Sequence, residues 1–260
     1  MTDQMTADLA ARLYSAEANK SVVAPLTLEH PDLSVELAYG IQLANVKRRL
    51  EKGDRVVGHK IGLTSRPMQA MLGVNEPDFG HLFESMHYQS GDVVDYPLIQ
   101  PKVEPELAFI LREDLVGPNV GVQDVLRATR FVLPAIEVID SRIADWNIKL
   151  VDTVADNASS GCFVLSHTAH SIENADILLS GAILKVNGQI VQTGAGAAVV
   201  GNPALAVAWL ANKLSSLGTT LKTGDIILSG AVSAAVPVAS GDHVSLTFGR
   251  LGRVDLTIKG

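Results

Sequence analysis

The chain has 260 residues, 47% of them hydrophobic, and a formal net charge of −7. This composition allows a sizeable core, and the negative charge without a Lys/Arg block argues against nucleic acid or an anionic membrane as partner. Cys162 is the one cysteine, which excludes an internal disulfide framework and a multi-cysteine metal site. No apolar run approaches about 18 residues and no apolar signal core is present, so a soluble cytoplasmic protein is expected.

Two helices are predicted near the N-terminus. Residues 6–18 are charged and helical in character, and residues 34–52 carry apolar side chains at helical spacing. Ser34 is placed to cap the second helix, and Gly53 follows its end. These signals predict a small helical N-terminal portion comprising residues 1–54.

Short strands rich in Val, Ile and Leu dominate the rest of the chain, which is predicted to be a mixed-β catalytic domain over residues 55–260. Asn187 and Gly188 form a type I′ hairpin signal. One helix interrupts the strands, with Asn202 as its cap and Gly218 as its stop. The strands do not alternate regularly with helices, which favours an α+β fold over a doubly wound sheet.

Several familiar signatures do not fit. The glycines of TGAGAAVVGNP lack dinucleotide-binding spacing, and no P-loop lysine follows them. His167 and His170 lie in the polar segment SHTAHS, where solvated side chains are expected. Cys162 lies in an apolar strand, which favours a buried and inert thiol.

Three glutamates need a different explanation. Glu104 and Glu106 are two residues apart, so on a strand they point to the same face, and Glu137 has apolar neighbours on both sides. A buried carboxylate must be neutralised. Lys102 or Arg142 could do so in a structural ion pair, or the three carboxylates could converge on Mg²⁺ or Mn²⁺, which prefer oxygen ligands. The spacing alone leaves both explanations open.

Lys60 and Asp78 interrupt apolar or glycine-rich stretches. Lys60 is a cation inside the strand-like run VVGHKIGL, where a lysine reaching towards solvent is the simple explanation. Asp78 lies in a Pro-Asp-x-Gly stretch that is typical of a loop, and turn chemistry alone would explain it. Each is a weak signal by itself.

Five stretches together resemble a known family: GHKIGLTS, MLGVNEPDFGHLF, PKVEPELAF, PAIEVIDSRIADW and VDTVADNAS. They are similar to the 2-oxopent-4-enoate hydratase / 4-oxalocrotonate decarboxylase family of the fumarylacetoacetate hydrolase superfamily. The resemblance runs from about residue 6 to about residue 258. It implies an α+β fold with a mixed β-roll core of the fumarylacetoacetate-hydrolase type and a small helical N-terminal portion.

The resemblance also implies a site. Its divalent metal, Mg²⁺ or Mn²⁺, would be held by three carboxylates: Glu104, Glu106 and Glu137. Lys60 matches the lysine of the family's G-x-K-x-G-x-[ST] stretch and is expected to be catalytic, close to metal and substrate. Ser160 and Ser229 match segments that line the pocket and are expected to bind substrate.

Asp78 separates the two activities of the family. The hydratases carry P-D-[FY]-G, as this chain does, whereas the decarboxylase branch tends to have an apolar residue in place of the aspartate. The stretch SAAVPVASGD resembles decarboxylase sequences, but Asp78 has more weight because it can take part in the chemistry. The resemblance therefore implies a carbon–oxygen lyase of aromatic meta-cleavage degradation that hydrates 2-hydroxypenta-2,4-dienoate to 4-hydroxy-2-oxopentanoate, with Asp78 as general acid/base.

Two alternatives stay open, a 4-oxalocrotonate decarboxylase of the same family and a non-catalytic subunit that binds metal or a partner enzyme. The family's habits imply a homo-oligomer that could associate with a partner enzyme of the same pathway. Asp140 and Arg142 are expected to form a structural ion pair near Glu137.

Overall fold

The computed structural model describes residues 3–260, apart from the side chains of residues 71 and 72. The α-helices of this range are α1 (Asp3–Ala18), α2 (Leu26–Glu29), α3 (Val35–Glu51), α4 (Arg66–Leu72), α5 (Val122–Ala128), α6 (Leu150–Ala155) and α7 (Pro203–Ser216). The strands are β1 (Val56–Gly62), β2 (Asp78–Phe83), β3 (His87–Gln89), β4 (Val93–Val94), β5 (Lys102–Leu111), β6 (Thr129–Ile139), β7 (Ser160–Leu165), β8 (His170–Ser171), β9 (Gly181–Val186), β10 (Gln189–Ala195), β11 (Ile226–Leu228), β12 (Val236–Pro237), β13 (His243–Phe248) and β14 (Gly252–Ile258).

Two mixed sheets form the body of the molecule. The larger has nine strands, with β2-β1-β11-β5-β6-β7-β3 as its main order, β12 paired to β5 and β8 paired to β6. The smaller has five strands in the order β10-β9-β13-β14-β4. Most pairs are antiparallel, whereas β1–β11, β3–β7 and β14–β4 are parallel. The predicted α+β fold with a mixed β core is therefore confirmed.

The two predicted N-terminal helices are present as α1 and α3. Ser34 caps α3, because its hydroxyl accepts a hydrogen bond from the Leu37 amide at 3.3 Å. Leu9 of α1 and Ile41 of α3 belong to the same buried cluster as Phe109 of β5, so the helices pack on the body of the protein. The division into residues 1–54 and 55–260 stays a prediction.

The local signals later in the chain are also confirmed. β9 and β10 form an antiparallel hairpin around Asn187 and Gly188, both of which have positive φ as a type I′ turn requires. Asn202 caps α7 by accepting a hydrogen bond from the Ala204 amide at 2.9 Å, and Gly218 follows the helix with φ of 76°. Cys162 is buried in β7, as predicted.

β1 is held tightly between two neighbours. It pairs in parallel with β11 and antiparallel with β2, so that Lys60 faces Leu228 on one side and Gly80 on the other. A Cβ at Gly58 would lie 1.8 Å from the Ile226 carbonyl oxygen, so only glycine permits this approach. The packing fixes Lys60 relative to the centre of the sheet. None of the helices within residues 3–260 is both long and apolar enough to cross a bilayer.

Candidate active site

The three predicted glutamates lie together on the β5–β6 ladder. Glu104 is directly opposite Glu137 in the register, and Glu106 lies two residues along β5 on the same face. One carboxylate oxygen from each glutamate lies within 4.8 Å of those of the other two. The antiparallel pairing of β5 and β6 thus brings together residues that are distant in sequence.

Each buried glutamate has one oxygen held by the protein and one left without a hydrogen bond. The Gly230 amide donates to Glu106 Oε2 at 2.8 Å, and the Ser160 hydroxyl donates to Glu137 Oε1 at 3.2 Å. Glu106 Oε1 and Glu137 Oε2 are buried and accept none within the described residues. Glu137 Oε2 has the Lys60 ammonium nearby at 3.3 Å, whereas Glu106 Oε1 has no such neighbour among residues 3–260. Because unpaired buried carboxylate oxygens are costly, this all-oxygen donor set fits a hard dication such as Mg²⁺ or Mn²⁺.

Without a metal, the cluster favours protonation. Burial raises the pKa of Glu104 to about 7, and it raises the pKa of Glu106 well above its usual range, with Glu137 and Glu104 adding repulsion. Burial also raises the pKa of Glu137, although Lys60 opposes that shift. The cluster therefore exchanges protons for a dication when it binds one.

Lys60 provides the positive charge next to these carboxylates. Its Nζ lies 3.3 Å from Glu137 Oε2 and donates to the Ala158 carbonyl at 2.9 Å, and its side chain is only 4% exposed. Burial favours the neutral amine, but the surrounding carboxylates outweigh it, so the pKa of Lys60 is raised. Lys60 is thus not a solvated surface lysine. It takes the neutralising position beside Glu137 for which Lys102 and Arg142 were the candidates from sequence.

Asp78 is the first residue of β2 and not part of a loop, which corrects the expectation from its Pro-Asp-x-Gly context. It is 2% exposed, and its Oδ1 has no hydrogen-bond partner within residues 3–260. Burial raises the pKa of Asp78 to about 6, with Lys60 opposing the shift. It pairs with Gly62 across the sheet, where a Cβ would lie 2.3 Å from Asp78 Oδ1. Glycine at residue 62 therefore leaves the space that the carboxylate occupies.

A cleft of about 520 Å³ opens onto this cluster, and its wall includes Lys60, Asp78 and Glu104. Sequence reasoning assigned no site role to three other residues that line it: Lys102, Trp146 and Ser233. Ser233 Oγ is buried without a hydrogen-bond partner in the described chain. Strand periodicity could have indicated Lys102, because it precedes Glu104 by two residues on β5, whereas nothing local marks the other two.

Ser160 and Ser229 take positions different from those of the cleft wall. Ser160 begins β7, and its hydroxyl donates a hydrogen bond to Glu137. Ser229 follows β11, and its buried hydroxyl has no hydrogen-bond partner within the described residues. Neither belongs to the residues that line the 520 Å³ cleft. Their assignment to substrate binding stays a prediction.

The segment that follows α6 positions Lys60, because its Ala158 carbonyl accepts a hydrogen bond from the Lys60 ammonium. Residues 157–159 all have φ between 51° and 55°, a left-handed run that non-glycine residues adopt only when held. Asp156 anchors the run: it accepts hydrogen bonds from the Arg142 backbone amide and guanidinium, and that guanidinium also reaches the Ser160 carbonyl at 3.0 Å. Arg142 therefore pairs with Asp156. The expected pair with Asp140 is wrong, because Asp140 instead accepts from the backbone amides of residues 99 and 100.

We expect Arg142→Met to lower the free energy of unfolding by about 3–5 kcal/mol at pH 8, because it leaves Asp156 buried without its partner. The loss should be smaller at pH 5, since burial already raises the pKa of Asp156 to about 6 and the carboxyl can protonate. Urea unfolding at the two pH values measures both effects. Arg127→Met, which removes an exposed pair with Asp124, should cost less than about 1 kcal/mol. Equal losses in the two variants would show that the buried pair of Arg142 and Asp156 contributes no more than an exposed pair.

Comparison with known proteins places the chain in a family. The model of the fumarylacetoacetate (FAA) hydrolase C-terminal family matches residues 42–259. The chain belongs to this family. Among its curated relatives, this FAA hydrolase family member is 51% identical to the 2-hydroxypent-2,4-dienoate hydratase of Pseudomonas putida, over 81% of this chain and 96% of that protein. It is 47% identical to the 2-hydroxyhexa-2,4-dienoate hydratase of Comamonas testosteroni, over 93% and 92% of the two chains.

Solved structures of the family agree with the fold. The 4-oxalocrotonate decarboxylase from Pseudomonas putida G7, complexed with magnesium and adipate, superposes with a TM-score of 0.97 at 36% identity over 99% of this chain and 98% of that one. The fumarylpyruvate hydrolase of Pseudomonas aeruginosa, in complex with Mn²⁺ and pyruvate, has a TM-score of 0.61 at 12% identity over 77% and 88% of the chains, and shares the fold alone. Both of these solved structures contain a divalent metal on the same fold.

In this FAA hydrolase family member, metal affinity should increase with pH. Burial raises the pKa of Glu104 to about 7 and that of Asp78 to about 6. The metal-free folded protein therefore still holds protons that the unfolded chain, whose carboxyl pKa values are about 4, has released. The stability of the metal-free protein therefore falls as pH rises from about 4 through about 7. Because metal binding displaces protons, a bound metal stabilises the protein most above that pH range.

Thermal unfolding with Mg²⁺ at pH 5 and pH 8 measures this linkage. At pH 8 and a metal concentration 100-fold above Kd, we expect about 2.7 kcal/mol of stabilisation, a Tm increase of roughly 5–10 °C. At pH 5 the increase should largely disappear, because apparent affinity falls roughly tenfold per pH unit for each displaced proton. KCl at equal ionic strength is the control. A Tm increase of the same size at both pH values would refute the linkage.

Proposed function

We propose that the chain is a metal-dependent hydratase that adds water to 2-hydroxypenta-2,4-dienoate and yields 4-hydroxy-2-oxopentanoate in the meta-cleavage degradation of aromatic compounds. The hydratase relatives at 47–51% identity over most of the chain support this reaction class. The observation in the structure that carries the proposal is the position of Asp78. Its buried carboxyl, with one oxygen that accepts no hydrogen bond, lines the same cleft as Lys60 and Glu104, the glutamate through which the acidic cluster reaches that cleft.

Glu104, Glu106 and Glu137 would hold the metal, because one oxygen of each lies close to those of the other two. Glu106 Oε1 and Glu137 Oε2 also accept no hydrogen bond from the described residues. When bound, Mg²⁺ or Mn²⁺ would act as a Lewis acid that polarises the 2-oxo group of the substrate. Lys60 lies beside this position, and its charge would stabilise negative charge that develops on the substrate oxygens.

Asp78 would move the protons of the reaction. The dienol is first converted to 2-oxopent-3-enoate by loss of the 2-hydroxyl proton and protonation at C5, which makes C4 electrophilic. Water then adds at C4 and C3 is protonated. A carboxyl whose pKa burial raises to about 6 can both accept the proton of water and return one near neutral pH. The left-handed run at residues 157–159 would keep Lys60 in place through the Ala158 carbonyl.

A 4-oxalocrotonate decarboxylase is the second candidate, favoured by the TM-score of 0.97 with such an enzyme. Decarboxylation needs the same stabilisation of negative charge on the substrate but no base for water, so metal binding alone does not separate the two. The lower identity to that decarboxylase, 36%, and the presence of Asp78 favour the hydratase. A non-catalytic subunit that binds metal or a partner is the third possibility.

Purified protein incubated with enzymatically generated 2-hydroxypenta-2,4-dienoate and Mg²⁺ or Mn²⁺ tests the proposal. We expect loss of the dienol absorbance and formation of 4-hydroxy-2-oxopentanoate, both abolished by EDTA. Metal-dependent CO₂ release from 4-oxalocrotonate without hydration would instead establish the decarboxylase. If neither substrate is turned over, the non-catalytic subunit is the remaining candidate. A homo-oligomer, with or without a partner enzyme, is part of the proposal, and light scattering would measure its size.

A further inference from the structure

Lys102 is a cation in the wall of the cleft, and it forms no ion pair within residues 3–260. It begins β5, two residues before Glu104 and on the same face, and it lines the cleft beside that glutamate. Lys60, the other cation in the wall, is already engaged by Glu137 and the Ala158 carbonyl. Among residues 3–260, no carboxylate lies within ion-pair distance of the Lys102 ammonium, which instead lies 4.1 Å from the centroid of the Trp146 ring.

The contact with Trp146 positions the ammonium without neutralising it. The ring quadrupole attracts a cation over the indole face but brings no compensating negative charge, unlike the carboxylate of a salt bridge. Trp146 itself is fixed, because its Nε1 donates to the Gln100 carbonyl at 3.1 Å and its backbone is held in the left-handed region at φ of 55°. The ammonium is therefore both located and available to an anion.

The charges of the cleft require such a cation. With a dication bound and all four carboxyls ionised, Asp78 and the three clustered glutamates carry four negative charges against three positive charges from Lys60 and the metal. One net negative charge would then remain beside the cleft that an anionic 2-oxo acid must enter. Lys102 brings this balance to zero. A positive charge in the wall of a low-dielectric cleft raises the rate at which anions are captured.

We propose that Lys102, held on Trp146, recruits and orients the carboxylate of the 2-oxo acid substrate at the metal end of the cleft. The inference rests on the proposed function for the identity of the substrate. It makes Lys102 a substrate-positioning residue and directs the substrate's hydrocarbon end away from Glu104. The apolar wall formed by Leu63, Pro67 and Met68 is available to that end.

Steady-state kinetics of Lys102→Met on 2-hydroxypenta-2,4-dienoate tests the inference. We expect KM to rise at least about tenfold with kcat within about twofold, because capture is impaired and the chemical groups are intact. Lys102→Arg keeps the cation and should restore most of kcat/KM. Raising ionic strength from about 10 mM to about 100 mM should lower kcat/KM of the wild type, because the Debye length shrinks from about 30 Å to about 10 Å. Lys102→Met should lose most of this dependence.

Lys259→Met is the matched control. Lys259 lies in a neighbouring groove that Lys102 and Trp146 also border, but it does not line the cleft and it pairs with Asp95. The substitution therefore changes the net charge equally but should leave KM unchanged. If Lys102→Met behaves like Lys259→Met, or lowers kcat with KM unchanged, the inference is overturned.

Calorimetric titration of the Mg²⁺-loaded protein with 2-oxopentanoate, which has no alkene to hydrate, separates this result from the proposed function. Lys102→Met should bind it at least about tenfold more weakly than wild type does. A wild type that fails to hydrate the dienoate refutes the proposed function, and the inference is then decided by this binding difference. Equal affinities would overturn it.

Discussion

Glu106→Gln should abolish turnover and at the same time stabilise the metal-free protein. Loss of a charged ligand should reduce kcat/KM by at least about 10³-fold, which corresponds to several kcal/mol of lost transition-state stabilisation. The stability gain has a separate cause. In the absence of metal, Glu106 is 1% exposed and is repelled by Glu137 and Glu104, so removing its charge at pH 8 should raise the free energy of unfolding by about 1–2 kcal/mol.

Chemical denaturation with and without Mg²⁺ gives the stability, and the dienol absorbance assay gives the turnover. Glu113→Gln, at an exposed position just after β5, is the matched control and should change neither quantity. A Glu106→Gln protein that is still stabilised by Mg²⁺ as strongly as the wild type would remove Glu106 from the ligand set.

Asp78→Asn should lower kcat by about 10²–10⁴-fold while leaving Mg²⁺ affinity within a few fold. The amide has nearly the shape of the carboxyl but cannot accept and return a proton, which is the contribution expected of a general acid/base. The three glutamates, which would hold the metal, are untouched. Turnover measures the first quantity, and a thermal-shift titration with Mg²⁺ measures the second. Unchanged turnover would exclude Asp78 from the chemistry.

Gly62→Ala tests the same point without altering Asp78. The added Cβ would lie 2.3 Å from Asp78 Oδ1 and 3.5 Å from Lys60 Nζ, so the carboxylate must turn away. We expect a partial loss of kcat with metal affinity retained. At Gly181 the nearest atom to an added Cβ is 3.9 Å away, so Gly181→Ala is the control and should behave as wild type. Equal rates in the two variants would show that the position of Asp78 is unimportant.

Local sequence signals predicted the helices, strands and turns, but not which distant residues come into contact in the fold. The cap at Ser34, the Asn187–Gly188 turn and the periodicity that places Glu104 with Glu106 all depend on neighbouring residues, and sequence alone predicted them. The register that places Glu104 opposite Glu137 depends on the pairing of two whole strands. Spacing left that point undecided, and only the family resemblance favoured it.

The wrong predictions for Arg142 and Asp78 have the same cause. Arg142 is two positions from Asp140 in sequence, but the fold turns its guanidinium to Asp156. Asp78 has the neighbours of a turn residue, yet pairing with β1 draws it into a strand. Pairwise contacts over long sequence separations override local preference in both cases, which is why neither position could be predicted from its neighbours.

The order in which strands enter the large sheet bears on how fast the chain folds. β5 and β6 are neighbours in sequence and can form a local ladder, whereas β11, which lies between β1 and β5, arrives from far later in the chain. The acidic ladder can therefore assemble before Lys60 and the Gly230 amide are in place. If β5 and β6 pair this early, the three glutamates repel one another without these partners and slow the pairing. We therefore expect the rate of folding, and not only the final stability, to depend on the charge state of these three side chains.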